Sequence, residues 1–80
     1  MNGYELRIRG LADPISFAAA RRELRLFPEV RDLVHTSGGD RFVVLYEGES
    51  PDPAGWCSML LEVGYPAIPA GPIRRTGDAA

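Results

Sequence analysis

Two Asp-Pro pairs divide this chain, and each pair is typical of the start of a helix. Asp13 precedes Pro14, and Asp52 precedes Pro53. An aspartate side chain caps the free N–H groups of a first helical turn, and proline at the first helical position loses no hydrogen bond there. Apolar residues follow each pair at helical spacing: Phe17, Ala20, Leu24 and Phe27 after the first, and Trp56, Met59, Leu60 and Val63 after the second. The sequence therefore predicts two helices.

The segments outside these helices are predicted to be strands. Residues 4–9 alternate strictly between apolar and charged side chains, which is typical of a strand with one buried face. A second strand is expected over 30–36 and a third over 41–47, joined by a hairpin turn over 37–40 that contains two glycines. A short fourth strand is expected over 65–68, where neighbouring prolines confine it to a sheet edge.

The order β-α-β-β-α-β predicts an α+β fold, the ferredoxin-like sandwich. Each half is a strand–helix–strand unit, and right-handed crossovers place both helices on one face of a four-stranded antiparallel sheet. We expect one domain over residues 1–70. Residues 71–80 have too little apolar content to pack, so they are expected to form a flexible tail or the start of a linker.

The composition excludes several classes of function. The 80 residues carry a net charge of −2, which argues against a general binder of nucleic acids or membrane surfaces. The single cysteine excludes an internal disulfide and a metal site with several thiolates from one copy. No apolar run approaches the length of a membrane span, and the N-terminal residues lack the pattern of a secretory signal. We therefore expect a cytoplasmic protein.

Few side chains in this sequence can carry chemistry. No nucleophile–base pair is recognisable, and the glycines at 38 and 39 belong to the predicted hairpin rather than to a phosphate-binding loop. RNA binders of this fold expose aromatic residues on their central strands, whereas charged residues occupy the outward positions of the first strand here. The chain is therefore predicted to be no enzyme and to use no cofactor.

The spacing of several landmarks resembles the heavy-metal-associated (HMA) domain of copper chaperones and metal-pumping ATPases. The landmarks cover about residues 4–68 and are Gly10-Leu11, Val30, Val43-Val44-Leu45-Tyr46 and Gly64-Tyr65-Pro66-Ala67. In that family, two cysteines separated by two residues hold a soft cation such as Cu(I). In this sequence Asp13 and Ser16 stand at those two positions. The resemblance therefore implies the HMA scaffold with a degenerate metal-binding loop and no metal.

Three single residues could carry chemistry, but each of them has a simpler structural explanation. Asp13 is expected to cap the first helix. His35, the only histidine, is expected to face the helices from the second strand, and Cys57 is expected to be an inert, partly exposed thiol. A mixed metal site of these three would require three elements to converge, and their predicted directions do not.

The uncovered face of the sheet is the predicted site of function. The register that the resemblance implies turns Val44 and Tyr46 toward the helices, so Val43 and Leu45 face outward. The rest of the predicted surface is Val34 on the neighbouring strand and a charged rim of Arg7, Arg9 and Arg41. An apolar cluster with a charged rim is typical of a protein–protein contact. The sequence favours a module that contacts itself, another domain or a partner protein; a metal carrier with atypical ligands and a small-ligand sensor are the alternatives.

Overall fold

The computed structural model describes residues 1–11, 13–36 and 39–73. Its six elements follow the predicted order: β1 (Asn2–Ile8), α1 (Pro14–Leu24), β2 (Val30–His35), β3 (Arg41–Tyr46), α2 (Pro53–Glu62) and β4 (Ala67–Ile73). The strands form one antiparallel sheet in the order β2-β3-β1-β4. The ferredoxin-like sandwich predicted from the sequence is confirmed. Positions 37 and 38 of the expected hairpin turn lie outside the described residues.

Both helices begin where the Asp-Pro pairs predict. The Asp13 carboxylate accepts a hydrogen bond from the backbone N–H of Ser16 at 2.9 Å, and the Asp52 carboxylate accepts one from Gly55 at 3.1 Å. A Cβ at Gly55 would clash with the Asp52 carboxylate, so the glycine leaves the space that this cap requires. Neither helix in the described part of the chain is long and apolar enough to cross a membrane.

The core fills the space between the sheet and the two helices. Its fully buried large side chains are Trp56, Phe42, Leu6, Ile8, Leu11, Leu24, Leu33, Leu60 and Val44. Phe17 and Met59 pack on the edge of this core as half-buried residues. The apolar stripe predicted for the second helix ends one residue too late. It includes Val63, whereas α2 ends at Glu62 and Val63 is its exposed C-cap.

Trp56 connects the second helix to the rest of the molecule. Its ring packs edge-on against Tyr4 of β1 and at an angle against Tyr46 of β3, with ring centroids 6.0 and 5.6 Å apart. Its Nε1–H donates a hydrogen bond to the carboxylate of Glu29 at 3.0 Å. The indole therefore buries its ring and still satisfies its polar atom, as a buried tryptophan requires.

The fourth strand is longer than the sequence predicts. It runs to Ile73 and pairs with β1 from Gly3 opposite Ile73 to Ile8 opposite Ala67. Its prolines are tolerated because β4 lies at the edge of the sheet, where N–H groups need no second partner. Residues 71–73 thus belong to the sheet and not to the tail expected over 71–80. Positions 74–80 lie outside the described residues.

Candidate functional site

The face of the sheet opposite the helices, called the open face below, follows from the strand register. Leu45, Val43 and Arg41 of β3 stand opposite Gly3, Glu5 and Arg7 of β1. On the outer strands, Val34 pairs with Val43, Ile68 with Arg7, and Ile73 with Gly3. Val44 and Tyr46 belong to the helix-side core, so the alternation predicted for β3 is correct.

An apolar strip crosses the open face from one edge strand to the other. It consists of Val34, Val43, Leu45 and Ile73, with Gly3 between the last three. Val34 is 36% exposed and Ile73 is 40% exposed, while Leu45 is half-buried. The sequence pattern does not identify Ile73 as part of this surface, because this residue lies in the predicted tail and belongs to β4 in the structure.

The expected exposure of Val43 is wrong, because this side chain is only 8% exposed. Val43 points away from the helix-side core yet is covered by its neighbours on the same face. A Cβ added to Gly3 would lie 3.0 Å from Val43 Cγ1, which shows that Val43 leans over the glycine. The accessible part of the apolar strip is therefore made by Val34, Leu45 and Ile73.

The predicted arginine rim is present, and its members differ in their partners. Arg41 donates to Glu5 through Nε at 2.8 Å and through Nη2 at 3.4 Å, and this hydrogen bonding lowers the pKa of Glu5. Arg7 Nη1 lies 4.0 Å from Asp40 Oδ1. No carboxylate of the described residues lies within that distance of the Arg9 guanidinium.

The degenerate loop is organised around the helix cap. The hydrogen bond from the backbone N–H of Ser16 lowers the pKa of Asp13, so its carboxylate is ionised at neutral pH. Ile15, between the two positions, is exposed. The two residues at the positions of the family's cysteines therefore interact with each other as a cap. Ala12 lies outside the described residues.

His35 and Cys57 have structural environments on separate elements. The His35 ring stacks on Phe42 with centroids 4.4 Å apart, and its Nε2–H donates to the carbonyl oxygen of Gly39 at 2.8 Å. Cys57 packs on the core, and burial raises the pKa of its thiol. The described residues contain no group of three or more His, Cys, Asp or Glu side chains placed to hold a metal ion.

Comparison with known proteins finds likeness in fold and not in sequence. No family model and no curated protein matches the chain. A copper-binding domain from HMA7, a P-type ATPase, superimposes with a TM-score of 0.76 at 11% identity, over 92% of this chain and 100% of that domain. The yeast copper transporter domain CCC2A, solved in apo and Cu(I)-loaded states, gives 0.71 at 14% identity, over 92% and 97%.

A third solved structure comes from work on crosstalk between Cu(I) and Zn(II) homeostasis. It gives a TM-score of 0.72 at 20% identity, over 88% of this chain and 100% of that chain. All three solved structures are connected with copper, and one of them also with zinc. Identities this low establish the fold alone. The chain has the fold of the heavy-metal-associated domain and, with one cysteine, lacks the cysteine pair of that family.

Proposed function

We propose that this chain is a metal-free, non-catalytic HMA-like module that acts by protein contact through its open face. The observation that carries the proposal is the apolar strip, which crosses all four strands on the side opposite the helices. A sheet covered on one side meets water or a partner on the other. Apolar side chains from β2, β3 and β4 in adjacent positions favour a partner.

The two edges of the sheet are poor alternatives for association. On β4, Pro69 and Pro72 remove N–H groups that an added strand would need. On β2, the register shifts between Val30 and Asp32, and the Asp32 carboxylate is bound by Arg21 of α1. Bulges and charges of this kind block edge-to-edge pairing. Contact through the face is therefore favoured over addition of a strand.

The proposed partner is a protein, either a second copy of the chain, another domain or a separate protein, in the cytoplasm. The net charge of −2 supports neither a nucleic acid nor a membrane surface as partner. The apolar strip is smaller than the surface of about 800 Å² that each partner buries in a standard stable complex. We therefore expect weak association, in the micromolar to millimolar range.

Self-association gives the most direct test. Leu45→Glu places a charge in the apolar strip, and Leu61→Glu places the same charge at an exposed leucine of α2 as a matched control. Sedimentation equilibrium should show an apparent mass that rises with concentration for the wild type and for Leu61→Glu, but not for Leu45→Glu. A wild type that stays monomeric at about 1 mM would contradict self-association, since even weak contacts populate dimers there.

A metal carrier with atypical ligands is the second candidate, favoured by the likeness to copper-binding domains. The side chains at the two positions argue against it, because Asp13 and Ser16 offer no thiolate to a soft cation such as Cu(I). Titration with Cu(I) or Zn(II) separates the two candidates, because only a metal carrier should form a tight one-to-one complex.

A further inference from the structure

A cleft of about 370 Å³ opens at the end of the open face farthest from the apolar strip. Its lining consists of Arg7, Arg9, Asp40, Pro66, Ala67 and Ile68. Backbone hydrogen bonds fix these residues together: the N–H of Arg9 donates to the carbonyl oxygen of Pro66 at 3.0 Å, and that of Ile8 to Asp40 at 2.8 Å. The cleft is thus built by the pairing of β1 with β4 and by the start of β3.

The charges around the cleft leave it positive. Arg7 and Arg9 contribute two positive charges and Asp40 one negative charge, so one positive charge is left over. Arg41 stands directly opposite Arg7 in the sheet, and like charges in such a pair oppose each other. The Glu5 carboxylate is bound by Arg41, so this neighbouring pair adds no net charge to the cleft. The positive charge of the cleft contrasts with the net charge of −2 on the whole chain.

One wall of the cleft is apolar. Ile68, which pairs with Arg7 of β1, is 64% exposed. Pro66 and Ala67 extend the same apolar wall. The volume falls in the range of small-molecule sites, which combine apolar walls with a few polar groups that fix orientation. A hydrocarbon group bound against Ile68 would remove apolar surface from water.

We propose that this cleft binds a small organic monocarboxylate with an apolar body. Its carboxylate lies between the guanidinium groups of Arg7 and Arg9, whose planar N–H groups match carboxylate geometry. Its hydrocarbon part packs on Ile68. The single surplus positive charge matches a monoanion, whereas a phosphate dianion would meet repulsion from Asp40. The cleft shares no residue with the apolar strip that carries the proposed protein contact, although Arg7 and Arg9 belong to the charged rim of the same face.

The test uses benzoate as the probe and the ¹⁵N-labelled 80-residue chain, observed by two-dimensional NMR. We expect saturable amide shifts confined to Arg7, Arg9, Asp40, Ala67 and Ile68. Benzamide, the neutral analogue, should bind at least about tenfold more weakly, and inorganic phosphate at matched ionic strength should also bind more weakly. No saturable, localised shift below about 50 mM benzoate, or equal binding of benzamide or phosphate, would overturn the proposal.

Two arginine variants make the test specific. Arg9→Gln should weaken benzoate binding by about tenfold, since it removes one charge-assisted contact. Arg22→Gln, at an exposed position of α1, is the matched control and should leave the affinity unchanged. Both spectra should remain dispersed because both side chains are exposed. Leu45→Glu should retain benzoate binding, so failure of the contact surface and failure of the cleft are distinguishable. Equal affinity of Arg9→Gln and the wild type would refute the assigned carboxylate site.

Discussion

Leu60 and Leu61 are adjacent leucines on α2 that the structure places in opposite environments. Leu60 is completely buried in the core, whereas Leu61 is 62% exposed. Truncating a fully buried leucine to alanine costs about 2–5 kcal/mol, through lost burial and the cavity that remains. A domain of this size has a free energy of unfolding of only about 4–12 kcal/mol, and its core alone often supplies about 3–5 kcal/mol. Leu60→Ala should therefore remove a large part of the stability.

The loss of stability can be measured by tryptophan fluorescence. Trp56 is the only tryptophan, and it is fully buried in the same core, so its fluorescence reports unfolding of the domain. In urea titrations, Leu60→Ala should lower the transition midpoint strongly or leave the protein partly unfolded without urea. Leu61→Ala should change the free energy of unfolding by no more than about 0.5 kcal/mol. Similar midpoints for the two variants would show that the buried face of α2 has been misassigned.

Three further predictions concern metal, pH and the thiol. Because the chain has one cysteine and its described residues contain no group of three or more His, Cys, Asp or Glu side chains placed to hold a metal ion, titration with Cu(I) or Zn(II) under reducing conditions should show only weak binding; a tight one-to-one complex would favour the metal carrier. Hydrogen bonds from Arg41, the Ser16 N–H and Arg21 lower the pKa values of Glu5, Asp13 and Asp32, so the folded state binds fewer protons than the unfolded state in acid. Urea midpoints should therefore be constant from about pH 5 to neutral pH and fall as the pH drops through the lowered pKa values, and a rise in that acid range would contradict the assignment. Burial raises the pKa of Cys57, so its reaction with a thiol reagent at neutral pH should be slow in the folded protein and fast in denaturant; equal rates would show an accessible thiol.

The features that the sequence predicted correctly depend on local interactions. A helix cap joins residues three apart, as Asp13 and Ser16 show, and a strand's alternation is visible within six residues. Element order and crossover handedness then restrict the topology to a few choices. The fold and the two helix starts could therefore be predicted without any contact between distant residues being known.

The features that the sequence missed depend on contacts between distant segments. Ile73 reads as part of a tail until it is paired with Gly3 at the other end of the chain. Val43 leans over Gly3, which has no side chain to displace it, and this contact exists only once β1 and β3 are in register. The cleft likewise requires Arg9 to meet the start of β4. Site geometry could not be predicted because no local pattern encodes these pairings.

The positions of Asp13 and Ser16 affect both the stability of α1 and the capacity to bind metal. A variant with cysteines at both positions tests the two effects together. Replacing both residues by cysteine supplies two thiolate ligands at the family's spacing but removes the carboxylate that caps α1. The metal-free double variant should therefore unfold at a lower urea concentration than the wild type, and Cu(I) should raise its midpoint by binding the folded state more tightly than the unfolded state. Asp13→Asn with Ser16→Ala, which keeps a capping side chain and adds no ligand, is the control and should show no response to Cu(I). A metal-free cysteine variant as stable as the wild type would show that the cap does not hold the loop.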